Sequence, residues 1–231
     1  MIQPETTALI LLAAGKSERF GLSDKLTETF LGQPLGMHVV TALEGVPFAR
    51  RVAVVDGGKL DYAARGYEVV RNDDPGRGLS LSVQLGLKAA RGPGIEAVIF
   101  ALADMPRVTA AQIYRLFDVE HGPDTIAASS DGVNPKPPIL FGAARFDALM
   151  EMRGDRDARD MVLAGRHVVT MPDELIDVDT EEELNELREK FDKQQNGGRI
   201  PPFSSHSSKG SPPRTASVRD HLAPPDRQSR G

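Results

Sequence analysis

The chain has 231 residues, 40% of them hydrophobic and 26% charged, with a formal net charge of -5 and no cysteine. That composition fits one domain with a sizeable buried core. It excludes a disulfide framework, a thiolate metal site and a cysteine nucleophile, argues against a general nucleic-acid binder, and agrees with a reducing cytoplasm as the expected location.

The first predicted element is a strand over residues 8–13, in the run "ALILLA". The apolar stretch is too short to span a bilayer and has no cationic segment before it, so it reads as a core strand rather than a membrane span or signal peptide. It runs directly into "AAGKSERFGLSDKL". Gly15 lets backbone N–H groups approach phosphate oxygens, while Arg19 and Lys25 supply neutralising charge. A solvated strand-to-helix turn is the alternative reading. The P-loop pattern fails because its first glycine falls on Ile10, and G-x-G-x-x-G fails because Ser17 stands two places after Gly15.

A helix over 35–43 and strands over 52–55 and 68–71 come next. The polar cluster "NDDPGRGLSLS" then leads into a helix over 81–90. Asn72 suits a base edge or ribose, and Ser80 and Ser82 suit phosphate contact or capping of that helix. The strand over 97–103 ends at Asp104, whose carboxylate emerges at the sheet's rim before Met105 and Pro106. Asp104 has a capping alternative, but Thr109 is better placed to cap the helix over 110–119. Facing a triphosphate, such a carboxylate suits Mg²⁺.

A strand over 125–128, a strand pair at 139–141 and 167–171, and a helix over 180–191 with Thr180 and Glu183 as a capping box complete the elements. From residue 193 the chain is rich in Pro, Ser and Gly and carries seven Lys or Arg against two Asp, without apolar periodicity. The expected organisation is therefore a domain over 1–192 and a disordered tail over 193–231, with a basic arm as the tail's alternative.

Alternating strands and helices imply an α/β fold, three-layered around a mostly parallel sheet. Ligands of such sheets gather beyond the strands' carboxyl ends, where the three polar clusters fall, which suggests one shared site. The five histidines are scattered, without zinc-like spacing, and no Ser-His-Asp arrangement is supported.

Taken together, Leu12-Ala13-Ala14-Gly15-x-Ser17-x-Arg19-x-Gly21 with Lys25-Leu26, Asn72 with Gly78-Leu79-Ser80-x-Ser82, and Asp104-Met105-Pro106 resemble the molybdenum cofactor cytidylyltransferases of the MobA-like NTP transferase group. The likeness covers roughly the first 190 residues. It implies a Rossmann-like, GT-A-like topology and transfer of CMP from CTP to a molybdopterin-type acceptor, with Arg19, Lys25 and Asp104 catalytic. By the same likeness Ala13, Ala14, Gly15, Ser17, Asn72, Gly78, Ser80 and Ser82 bind the nucleotide, and Asp104 and Asp179 hold Mg²⁺, with Asp177 the alternative to Asp179.

The segment "PPILFGAARFDALMEMRGDRDARDMV" is similar to the family's acceptor half, which makes Gly154, Asp155 and Arg159 acceptor-binding. Two departures fall there. Lys136-Pro137-Pro138 stands where Gly-His-Pro is common, and Asp157 stands where a Gly-Asp-x-Gly-Ala-Arg element carries glycine. Ala14 replaces the second glycine usual in guanylyltransferases, and its methyl group favours CTP over a purine. A recipient molybdoenzyme is the implied partner, with no nucleic acid and no membrane. A sugar- or alditol-phosphate nucleotidyltransferase and a non-catalytic cofactor-delivery module are the alternatives.

Overall fold

In the computed structural model, residues 2–15, 20, 24–119 and 122–197 are described, with side chains to residue 192. All seven residues of β1 (Thr7–Ala13) are buried, because this apolar run lies mid-sheet and is covered on both faces. A short hairpin of β2 (Thr29–Phe30) and β3 (Gln33–Pro34) follows, then α1 (His38–Ala42), β4 (Arg50–Val55) and β5 (Glu68–Arg71). The chain continues through α2 (Leu79–Ala90), β6 (Ala97–Leu102), α3 (Ala110–Phe117), β7 (Ile126–Ser130) and β8 (Pro135–Gly142). It ends with α4 (Phe146–Met150), α5 (Asp155–Leu163), β9 (Arg166–Val169) and α6 (Glu181–Gly197).

Seven strands form one sheet in the order β5-β4-β1-β6-β8-β7-β9. All neighbours run parallel except β8, which is antiparallel to both β6 and β7. The chain builds outward from β1 through β4 and β5, then crosses to β6 on the other side of β1. The strand order therefore reverses between β1 and β6, which is where such a sheet opens a crevice for ligands. Leu12 lies opposite Leu102, so the two strands end level.

Alternation of side chains divides the core into two layers. Leu9, Leu11 and Ala13 face a cluster containing Val39 and Val40 of α1 and Ile113 and Leu116 of α3. Ile10 and Leu12 face Val83 and Leu87 of α2, Leu149 of α4 and Val162 of α5. Helix α2 seats closely on the sheet: a Cβ added at Gly86 would lie 2.4 Å from Ile10 Cγ2. A third cluster packs Leu184, Leu187 and Phe191 of α6 against Phe20, Phe30 and Leu35, and the Arg107 guanidinium lies 4.2 Å from the Phe191 ring centroid.

The expected elements reappear with four differences. The helix anticipated over 35–43 is a 3-10 turn, Leu35–Met37, leading into the short α1. The β2–β3 hairpin, α4 and α5 were not anticipated, since two-residue strands carry no period and α5 buries only Val162. The reversal at β8 was likewise not foreseen. Finally, α6 runs to Gly197, beyond the boundary expected at residue 192. The remainder of the expected tail, 198–231, lies outside the described residues.

Candidate active site

Backbone pairing carries on past the ends of the two central strands, where the Ala103 N–H donates to Leu12 O at 3.1 Å. This brings Ala13, Ala14 and Gly15 beside Asp104. Ser17 and Arg19, expected to wrap phosphate, lie outside the described residues. Farther along, Asp24 accepts the Leu26 N–H at 3.0 Å and caps the 3-10 turn Lys25–Thr27. That cap fixes the turn from which Lys25 projects.

Lys25 is buried, and its Nζ donates to Asp104 Oδ2 at 2.7 Å, to Val178 O at 3.0 Å and to Asp179 Oδ1 at 3.2 Å. Burial works against the ammonium, but Asp104 and Asp179 outweigh it and raise the Lys25 pKa above its ordinary 10.5. At Asp104, burial pushes the carboxyl above its ordinary 3.8; Lys25 opposes the rise, while Asp179 and Asp177 add to it. Only one Asp104 oxygen is engaged, since Oδ1 is buried with no hydrogen-bond partner among the described residues.

The segment carrying Asp179 is tied down at both ends. The Val178 N–H donates to Asp104 O at 3.0 Å, docking the segment on the end of β6. The anticipated capping box is present: Glu183 Oε2 accepts the Thr180 N–H at 3.0 Å, and Thr180 Oγ1 accepts the Glu183 N–H at 3.2 Å. Upstream, Glu174 accepts from Thr109 Oγ1 at 3.1 Å, from Arg115 Nη2 at 2.7 Å and from the Thr170 hydroxyl, tying the segment to the N-cap and the last turn of α3. Asp177 turns away to Lys136, 3.2 Å from its Nζ. Of the two alternatives, Asp179 is the one that shares Lys25 with Asp104.

A cleft of about 120 Å³ is lined by Leu12, Ala13, Ala14, Gly15, Lys25, Leu26, Leu79, Leu102 and Asp104. Asn72 and Ser82, expected to contact nucleotide, are not among its lining residues. Asn72 Nδ2 donates to Ser82 Oγ at 2.9 Å, its Oδ1 accepts the Asp74 N–H at 3.0 Å, and each side chain is 1% exposed. The pair shapes the loop from within, because burial forces these polar groups to satisfy each other.

Gly78 and Ser80 meet the acceptor half. The Ser80 N–H donates to Asp155 Oδ1 at 3.0 Å, and a Cβ on Gly78, where φ is +90°, would lie 3.0 Å from Asp155 Oδ2. Asp155, at the start of α5, therefore caps α2 from outside. Asp155 and Arg159 also line a second cavity of about 390 Å³ with Leu79, Asn134, Lys136, Pro137, Ile139, Ala158, Val162 and others. Gly154 is not among its lining residues. Asp157 accepts the Arg153 N–H at 2.8 Å.

Leu79 lines both cavities and joins them. Leu79 was named from sequence only as part of the Gly78-Leu79-Ser80-x-Ser82 motif and given no role, and neither the capping Asp24 nor the anchoring Glu174 was singled out. A signal existed only for Asp24, an acidic residue directly before the lysine.

Among the described residues, no group of three or more His, Cys, Asp or Glu forms a ready-made metal cage. The pair Asp104 and Asp179 nevertheless fits Mg²⁺: the donors are hard oxygens, one of them buried and unpartnered, and Mg²⁺ takes only one or two carboxylates alongside phosphate and water. No described helix is long and apolar enough to cross a membrane.

A crevice at the strand-order reversal, lined by Gly15, a buried lysine and a carboxylate that shares this lysine with a second one, fits a nucleotidyltransferase of the Rossmann-like α/β class. The model of the MobA-like NTP transferase domain matches residues 9–169, and the chain belongs to that family. It is 28% identical to the purine catabolism protein PucB of Bacillus subtilis, over 78% of this chain and 94% of that protein. It is 30% identical to a molybdenum cofactor guanylyltransferase of Cereibacter sphaeroides, over 68% of this chain and 80% of the relative. The crystal structure of an Rv0371c homologue from Mycobacterium sp. strain JC1 superposes with a TM-score of 0.69 at 23% identity, covering 84% of this chain and all of that one, and shares the fold.

Proposed function

We propose that this nucleotidyltransferase moves CMP from CTP to a molybdopterin-type phosphomonoester and releases pyrophosphate. The observation that carries the reading is the convergence of Lys25, Asp104 and Asp179 beside a cleft lined by Ala14 and Gly15. Ala14 lines the same cleft, and its methyl group narrows the space for a base, which supports transfer from CTP over the guanylyl transfer in the Cereibacter relative's name. The adjoining cavity supports a partly apolar, anionic acceptor, because Ile139, Ala158 and Val162 line it beside Lys136 and Arg159.

In the proposed reaction an acceptor phosphate oxygen attacks the α-phosphorus of CTP. The new P–O bond forms as the bond to the β-phosphate oxygen breaks, and pyrophosphate leaves. The attacking oxygen is already anionic near neutral pH, so positioning and charge neutralisation supply the catalysis. Lys25 stabilises charge developing on the leaving group, in the role given to Arg19 as well. Asp104 and Asp179 would hold Mg²⁺, which neutralises phosphate charge when bound. Ala13, Ala14 and Gly15 cradle the nucleotide, and Lys136 and Arg159 draw the acceptor's phosphate into the second cavity.

The test is pyrophosphate release with CTP, GTP, ATP or UTP, Mg²⁺ and a panel of acceptors. Release with CTP and a molybdopterin-type phosphomonoester supports the proposal. Preference for a sugar or alditol phosphate replaces the acceptor, preference for GTP replaces the donor, and no release with any pair leaves a binding module.

A further inference from the structure

Lys25 occupies the gap between the two carboxylates assigned to the metal. Its Nζ contacts Asp104 Oδ2, Val178 O and Asp179 Oδ1 at 2.7, 3.0 and 3.2 Å, which uses all three ammonium donors. Oxygens around Mg²⁺ sit at about 2.0–2.1 Å, so a cation held by the same two carboxylate oxygens, Asp104 Oδ2 and Asp179 Oδ1, requires the space that Nζ now fills. The two positive charges would also repel across a buried gap, where screening is weak. One of them must leave.

We propose that Lys25 is an exchangeable counter-ion, holding Asp104 and Asp179 together until a divalent cation displaces it toward the phosphates of the bound nucleotide. The inference rests on the metal and nucleotide roles proposed above. Three features carry it. The lysine is buried where a charge needs partners, the carboxylates are its partners, and Gly15 borders the same cleft. A cation alone must strand the ammonium in a buried site, whereas a cation with nucleotide gives it phosphate oxygens. Metal and nucleotide then strengthen each other's binding, reciprocally.

The experiment measures Mn²⁺ binding to the full chain by electron paramagnetic resonance, with and without a non-hydrolysable CTP analogue. Wild type is compared with Lys25→Met, which keeps most of the stem's packing, and with Asp104→Asn. Without nucleotide, Lys25→Met should bind Mn²⁺ at least about tenfold tighter than wild type, the scale of one charge-assisted hydrogen bond. The gain in Mn²⁺ affinity on adding the analogue should shrink in the same variant.

Equal Mn²⁺ affinity in Lys25→Met and wild type, with Asp104→Asn weakened, overturns the exchange while keeping the metal role. Unchanged affinity in Asp104→Asn overturns both. A variant-free measurement decides the matter if Lys25→Met does not fold: amine labelling of Lys25 in wild type, mapped by mass spectrometry, should rise with saturating Mn²⁺. Unchanged labelling overturns the exchange.

Discussion

Removing the Asp155 carboxylate separates two roles for one residue. Asp155 Oδ1 accepts the Ser80 N–H at 3.0 Å, so Asp155→Ala leaves the first turn of α2 without its side-chain acceptor. Loss of such a cap costs about 0.5–2 kcal/mol, and loss of the negative charge at the helix's positive end adds about 0.3–1 kcal/mol. At a central total of about 2 kcal/mol, and about 2–4 °C per kcal/mol for a domain of this size, the melting temperature should fall by about 4–8 °C. Asp155→Asn keeps an acceptor oxygen and should recover most of that loss. The assay is thermal unfolding by circular dichroism for wild type and both variants, with KM for donor and acceptor measured alongside. If Asp155→Ala melts with wild type and only the acceptor KM rises, the carboxylate serves ligand alone and the capping argument is refuted.

Other perturbations probe the remaining contacts. Gly86→Ala improves helix propensity by about 1 kcal/mol but drives a methyl group to 2.4 Å from Ile10 Cγ2, where overpacking costs about 1–3 kcal/mol; a net fall in melting temperature is expected, and a rise would show that α2 can move off the sheet. Asp104→Asn should lower turnover by about 100-fold or more while circular dichroism stays native, as for loss of a group acting on transition-state charge. Ser82→Ala deprives the buried Asn72 amide of its acceptor and should cost about 1–3 kcal/mol in denaturant unfolding. At Glu174, partial burial is outweighed by hydrogen bonds from Thr170 and Thr109 and by the charge of Arg115, so its pKa lies below the ordinary 4.5. The ionised form therefore stabilises the fold above about pH 4.5, and the contribution is lost as pH falls through the lowered value. Glu174→Gln should flatten the acid side of a stability-against-pH curve, and an unchanged curve would refute the linkage.

The central sheet was legible because β1, β6 and residues 52–55 of β4 are apolar runs inside the sheet, and such runs stand out in sequence. Asp104 was legible for the same reason: a charge ending a core strand has to emerge at the rim. The Asn72–Ser82 contact was not legible because a polar residue looks the same in sequence whether it faces ligand or closes on a neighbour ten positions away. Asp155 was placed in the acceptor half, yet its bond to Ser80 spans 75 positions and has no periodic trace. Glu174 was invisible for a like reason, since its partners Thr109 and Arg115 lie on α3.

Helix α6 makes the useful extent of this protein longer than its family signature. The match ends at residue 169, and a fragment cut there would retain all nine strands. It would nevertheless surrender Asp179 and the Leu184, Leu187 and Phe191 buttress behind Phe20. Such a truncated piece would keep the strands and forfeit a partner of Lys25 together with the packing of α6, so an expression boundary belongs after the helix.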